Sequence, residues 1–124
     1  SAAAALGVAK SSLDYAKNYA KEREAFGVKI AQKQAVAFML AEMAVELESM
    51  RLMTWEAAWQ LDNGKEDACT SAYLAFTGAC DMAMMVTDRG VQIYGGHGYI
   101  RENPVELLMR NGRGFPMLLG LAIV

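Results

Sequence analysis

The chain has 124 residues, 54% of them hydrophobic, which is enough for one compact core and too few for two. Twelve Lys and Arg stand against fourteen Asp and Glu, a net charge of −2, so the basic excess that drives phosphate-backbone binding is missing and nucleic acid is not an expected partner. No uninterrupted apolar run approaches the roughly 20 residues that cross a bilayer, and the alanine-rich start lacks the basic flank of a secretory signal, so a soluble protein is expected.

From Ala2 to about Ala25, Leu6, Leu13, Ala16 and Ala20 recur at amphipathic-helix spacing, with Lys10, Asp14, Lys17, Lys21 and Glu24 at other angles. Gly27, after Phe26, is expected to close this helix in the left-handed conformation. A longer pattern runs from about Lys33 to Leu61, where Val36, Met39, Leu40, Met43, Leu47, Met50 and Met53 hold one stripe, a helix of roughly 40 Å at 1.5 Å per residue. Asp62-Asn63-Gly64 is a strong stop, and Glu66 and Asp67 supply carboxylates suited to a new helix start.

The third helix is predicted over Asp67 to Tyr94, with Ala72, Phe76, Ala79, Met82, Ala83 and Val86 facing inward. Asn103-Pro104 then reads as the cap and first turn of a short fourth helix that begins Val105-Glu106-Leu107-Leu108-Met109-Arg110. After Gly112 and Gly114 the chain ends in ten uncharged residues, FPMLLGLAIV, an apolar tail of the kind that needs a cover. No segment alternates with period two over a strand's length. The expected fold is all-α, an up-and-down four-helix bundle in a single domain spanning residues 1–124. The start at Ser1, on an alanine run without a cap, is what a piece of a longer protein would show.

Cys69 and Cys80 lie on one predicted helix without a second Cys or His pair at metal-ligand spacing, and are expected as reduced, buried thiols. The nine methionines follow helical spacing and read as core filling. Trp55 and Trp59, four apart, belong to the core or to an interface. Glu42, Glu46 and Glu48 lack the Glu-x-x-His partner of di-iron bundles, so no metal site is expected. The single histidine, His97, sits in Gly95-Gly96-His97-Gly98, which is either a tight helix-to-helix link or a backbone cradle for an anion. It does not fit a dinucleotide or P-loop fingerprint, because both require a preceding strand. Arg23, at a helix end, is favoured by the helix dipole whether or not it binds anything.

In order, the segments LGVAKSSLDYAKNYAKEREAFG, IAQKQAVAFMLAEMAVELESMR, AAWQLDNGK and VTDRGVQIYGGHGYIRENPVELLMRNGR resemble the C-terminal helical domain of the acyl-CoA dehydrogenase family. The resemblance implies a fragment of a larger FAD flavoenzyme whose N-terminal helical and middle β domains are absent here. Such enzymes oxidise acyl-CoA thioesters at the α and β carbons, work as dimers or tetramers, and pass electrons to an electron-transfer flavoprotein. They are found in the bacterial cytoplasm or the mitochondrial matrix. By the same resemblance Arg23 and Phe26 of the Glu-Arg-x-x-Phe-Gly motif, Gln34 on the next helix, and Gln92 and Gly96 of the Gln-x-x-Gly-Gly motif would contact the pyrophosphate and adenosine half of FAD, bound mainly by a neighbouring subunit. That favours the ligand-loop reading of the glycine run.

The departure is in the tail, where the family's usual catalytic glutamate aligns with Leu119 and a hydroxyl position with Leu121, so no catalytic residue is expected in this chain. Some branches of the family carry that glutamate shortly before the position of Ser1. A non-catalytic or differently catalytic relative, whose domain serves assembly alone, is the alternative. The isolated chain is expected neither to retain FAD nor to turn over substrate.

Overall fold

The computed structural model describes residues 1–119. Helix α1 spans Ala2–Glu22, α2 Gln34–Asp62, α3 Ala68–Tyr94 and α4 Val105–Gly114, the all-α bundle the periodicity predicts. Helix α3 is its centre, packing against α1, α2 and α4. Tyr19, near the end of α1, stacks on Tyr94, the last residue of α3, with ring centroids 4.1 Å apart, so α1 and α3 run parallel and α2 returns between them.

Of the predicted α1 stripe, Ala16 and Ala20 are fully buried, and the α1–α3 contact is closer than Leu6 and Leu13 would allow. Leu6 and Leu13 are only half-buried, and the innermost residues of α1 are Ala5, Ala9, Ser12, Ala16 and Ala20. Short side chains let two backbones approach, and the approach is tightest at Gly90, where an added Cβ would lie 2.2 Å from Ser12 Oγ. On α3 the predicted Phe76, Ala79, Met82, Ala83 and Val86 are all buried, while Ala72 is half-buried. Gly112 performs the same service between α3 and α4, since a Cβ there would meet Thr87 Oγ1 at 2.8 Å and the Ala83 carbonyl at 3.2 Å.

Helix α1 stops at Glu22, three residues before the predicted end, because residues 24–29 form a small antiparallel hairpin, β1 (Glu24–Ala25) and β2 (Val28–Lys29). Phe26 and Gly27 are therefore not a helix cap. They are the two central residues of the hairpin turn, both at positive φ (55° and 81°), as the right-handed twist of such a short ribbon demands. Lys29 anchors the hairpin: its Nζ donates to the terminal carbonyl of α1 at Glu22 (2.9 Å) and pairs with Glu24 at 2.8 Å. That hydrogen bond and charge hold the Glu24 carboxyl below its ordinary range.

Three further expectations change. Asn103 does not cap α4: Pro104 occupies the cap position, and the Asn103 side chain turns back to the preceding loop. Helix α4 continues through Gly112 to Gly114, because Gly112 sits against α3 where only glycine fits. Cys69 is exposed, and only Cys80 is buried, where desolvation pushes its thiol above the usual range.

Helix α2 behaves unlike its neighbours. It buries three residues, Met43, Leu47 and Ala57, whereas α3 buries twelve. Trp55 and Trp59 are not in the core, being 62% and 55% exposed. With Phe38, Val45 and Leu52 they form a second apolar stripe on the outer side of α2, at intervals close to seven residues. In the tail, Phe115 packs against the core and Met117 and Leu118 are exposed, while residues 120–124, with the Leu121 position, lie outside the described residues.

Candidate functional site

Parallel α1 and α3, with α2 starting beside them, bring three chain turns to one end of the bundle: the hairpin after α1, the start of α2, and the loop after α3. Arg23, Phe26, Gln34, Gln92 and Gly96 all lie on these turns, and all five are exposed.

Arg23 is the first residue beyond α1. Its backbone is fixed from both sides, by its own N–H donating to the Tyr19 carbonyl at 2.8 Å and by the Ile30 N–H donating to its carbonyl at 2.9 Å. The guanidinium makes none of the ion pairs found among the described residues, so a charge is held at the helix end without a partner. Phe26 is 95% exposed at the hairpin tip, an aromatic face kept out of the core by its positive φ, and the Lys33 ammonium lies 5.4 Å from its ring centroid. Sequence reading missed Lys33 as a second cation here. The hairpin that brings it over Phe26 has strands of two residues each, too short for a periodic signal.

Gln92 occupies the last turn of α3, and Gly95, at φ 59°, ends the helix. Gly95 to Tyr99 continue as a single 3-10 turn. A Cβ at Gly95 or Gly96 would meet nothing within 4 Å, whereas one at Gly98 would lie 2.6 Å from the Val91 carbonyl. The loop is thus pressed onto α3 at Gly98 and open at Gly95 and Gly96, where a ligand can approach the backbone. Beneath it, the Tyr94 hydroxyl is pushed above its ordinary range, first by burial and then by Tyr15 and Tyr19. The His97 ring leans on Tyr19, with centroids 6.4 Å apart and planes tilted by 46°.

None of the recesses found among the described residues brings these five together. A recess of about 290 Å³ beside Gln92 is lined by Gly98, Tyr99, Glu106 and Arg110, but not by Arg23, Phe26, Gln34 or Gly96. What the end of the bundle presents is an open face with a free cation, an aromatic ring, two amide side chains and accessible glycine backbone. Those groups fit an extended anionic ligand with a planar end, such as a dinucleotide, provided that a second body covers its other side.

The family model for the acyl-CoA dehydrogenase C-terminal domain matches residues 1–121. The chain is 43% identical over 112 residues to the mitochondrial short-chain specific acyl-CoA dehydrogenase of Sus scrofa, covering 90% of this chain and 27% of the relative. It is 42% identical over 123 residues to the caffeyl-CoA reductase-Etf complex subunit CarC of Acetobacterium woodii, covering 99% of this chain and 32% of that protein. Among solved structures, butyryl-CoA dehydrogenase from Megasphaera elsdenii superposes with a TM-score of 0.89 at 38% identity, over 93% of this chain and 30% of that one. The chain therefore spans about three-tenths of the length of these relatives. With fold, matched residues and order in agreement, the chain belongs to the acyl-CoA dehydrogenase family, as its C-terminal domain.

Proposed function

We propose that this domain completes a FAD site between subunits of an enzyme that oxidises acyl-CoA at its α and β carbons. What supports the reading is the open end of the bundle, where Arg23, Phe26, Gln34, Gln92 and Gly96 are all exposed and the backbone at Gly96 is unobstructed. Arg23 would pair with the diphosphate, a charge-assisted contact of the stronger class. Phe26 would pack on the adenosine end, and Gln34 and Gln92 would both donate and accept hydrogen bonds. When bound, FAD supplies the hydride acceptor for the oxidation. None of these residues reaches the reacting carbons. Leu119, where the family's usual glutamate aligns, is a hydrocarbon and cannot take a proton, so the α-proton must go to a carboxylate elsewhere in the whole protein.

The leucine at that position also favours a second reading, a non-catalytic or differently catalytic relative in which this domain serves assembly. The test is to purify the whole protein and add a panel of acyl-CoA thioesters. A yellow protein whose flavin is bleached by one of them supports the first reading, and a colourless protein or an unreactive flavin overturns it. The 124-residue chain alone is expected to hold no stoichiometric flavin and to give no turnover, because an open half-site must offset several kcal/mol of lost ligand freedom. Stoichiometric flavin on the isolated chain would contradict that. An electron-transfer flavoprotein is the expected acceptor, in a bacterial cytoplasm or a mitochondrial matrix.

Assembly is the second role. Phe38, Val45, Leu52, Trp55 and Trp59 form an exposed apolar stripe along α2, and pairing it with another copy removes it from water. Burying about 1,000 Å² of apolar surface contributes on the order of 25 kcal/mol before the costs of association. The chain is expected to sediment as a dimer or tetramer at tens of micromolar, and Trp55→Glu with Trp59→Glu is expected to sediment as a monomer with unchanged helix content. A monomeric parent chain would contradict the assignment.

A further inference from the structure

We infer that Asn103 is a positioning residue that holds the loop Gly95 to Gly98 in the shape presented to the dinucleotide, an inference that rests on the FAD reading above. The loop contains three glycines in four residues and has little side-chain packing of its own. Left untied, such a segment samples positive and negative φ alike, and the direction of the Gly96 backbone would be undefined. Two contacts define it. At Gly98 the backbone is wedged against the Val91 carbonyl and the Cβ of Tyr94, so closely that a Cβ would lie 2.6 Å and 3.2 Å from them. One residue earlier, the Asn103 side-chain amide donates to the His97 carbonyl at 2.8 Å, closing a short ring from the loop to the start of α4.

The Asn103 backbone is fixed in turn, its N–H donating to the Ile100 carbonyl at 3.2 Å. The His97 ring is braced separately on Tyr19. Gly95 and Gly96, between the α3 terminus and this tie, are the part left open to a ligand. The tie requires a donor. Asparagine supplies one, whereas the isosteric aspartate presents two acceptors to a carbonyl and repels it. Asn103 touches neither substrate nor cofactor in this account and acts through the backbone it holds.

The test has two readouts. Amide hydrogen exchange at Gly96 and His97 in this chain reads the tie alone, and the flavin dissociation constant of the whole flavoenzyme reads its consequence. Asn103→Ala and Asn103→Asp are expected to speed exchange by about fivefold, and to raise the flavin dissociation constant by a similar factor, the factor that one net hydrogen bond corresponds to. Asn103→Gln, which keeps a donor, should recover part of both losses. Thermal midpoints should fall below that of Glu102→Ala, an exposed neighbour, by no more than the few degrees that one hydrogen bond corresponds to, which separates positioning from a general loss of stability. Unchanged exchange in the Ala and Asp variants overturns the tie. Faster exchange with an unchanged flavin constant overturns the positioning role, and if Arg23→Ala also leaves that constant unchanged, the FAD reading itself has failed.

Discussion

Leu47→Ala is expected to destabilise the domain by about 4 kcal/mol, within the range for truncating a fully buried leucine. Leu47 is 2% exposed and packs in the cluster with Met43, Met82, Val86 and Ile93. The loss falls near the upper part of that range for two reasons. Helix α2 has only two other buried residues to hold it on the bundle, and the α1 side of the core is lined by alanines too short to fill the void. Leu52→Ala, five residues along the same helix, removes the same atoms from a side chain that is 60% exposed and should cost under about 0.5 kcal/mol. Urea unfolding of both variants checks this, in the background of Trp55→Glu with Trp59→Glu, so that self-association does not add to the apparent stability. Equal losses in the two variants would mean that α2 packs through its other face.

That contrast marks where the sequence was readable and where it was not. The stripe from Val36 to Met53 was legible because burial on one helix face leaves a 3.6-residue signal; Met43 and Leu47 are where it is deepest, and Met53, at its far end, is exposed. The outer stripe was harder to see. Helix α2 is apolar on both sides, so its inner and outer residues overlap in the pattern, and Trp55 and Trp59 could not be assigned to core or interface. The close face of α1 was read only in part, at Ala16 and Ala20, for a related reason. Periodicity weighs large apolar residues, whereas the α1–α3 contact is made by Ala5, Ala9, Ser12, Ala16 and Ala20, which matter because they are small.

At the site, the positions of Arg23, Phe26, Gln34, Gln92 and Gly96 followed from family motifs, not from patterning, and the fold brings them to one end. The features that shape that end were not legible. The hairpin of β1 and β2 is too short to alternate, the Tyr19–Tyr94 stack joins residues 75 apart (94 − 19), and Asn103 before Pro104 has the appearance of a helix cap. In each case a tertiary partner overrides the local preference: Lys29 for the hairpin, α3 for Tyr19, and the His97 carbonyl for Asn103.

The proposed meeting of this end of the bundle with the diphosphate of FAD is read out by comparing Arg23→Ala with Lys21→Ala in the whole protein. The two residues carry the same charge two positions apart. Arg23 stands beyond the helix end with its backbone pinned by Tyr19 and Ile30, and Lys21 is an exposed residue in the last turn of α1. A lost charge-assisted hydrogen bond is worth about 1.5–3 kcal/mol, roughly 10- to 100-fold in affinity, whereas a solvated surface charge contributes little. The measurement is the flavin dissociation constant of each variant by titration of the apoprotein. Arg23→Ala is expected to raise it by at least about tenfold, and Lys21→Ala to leave it unchanged. Equal constants in the two variants would contradict the proposed contact.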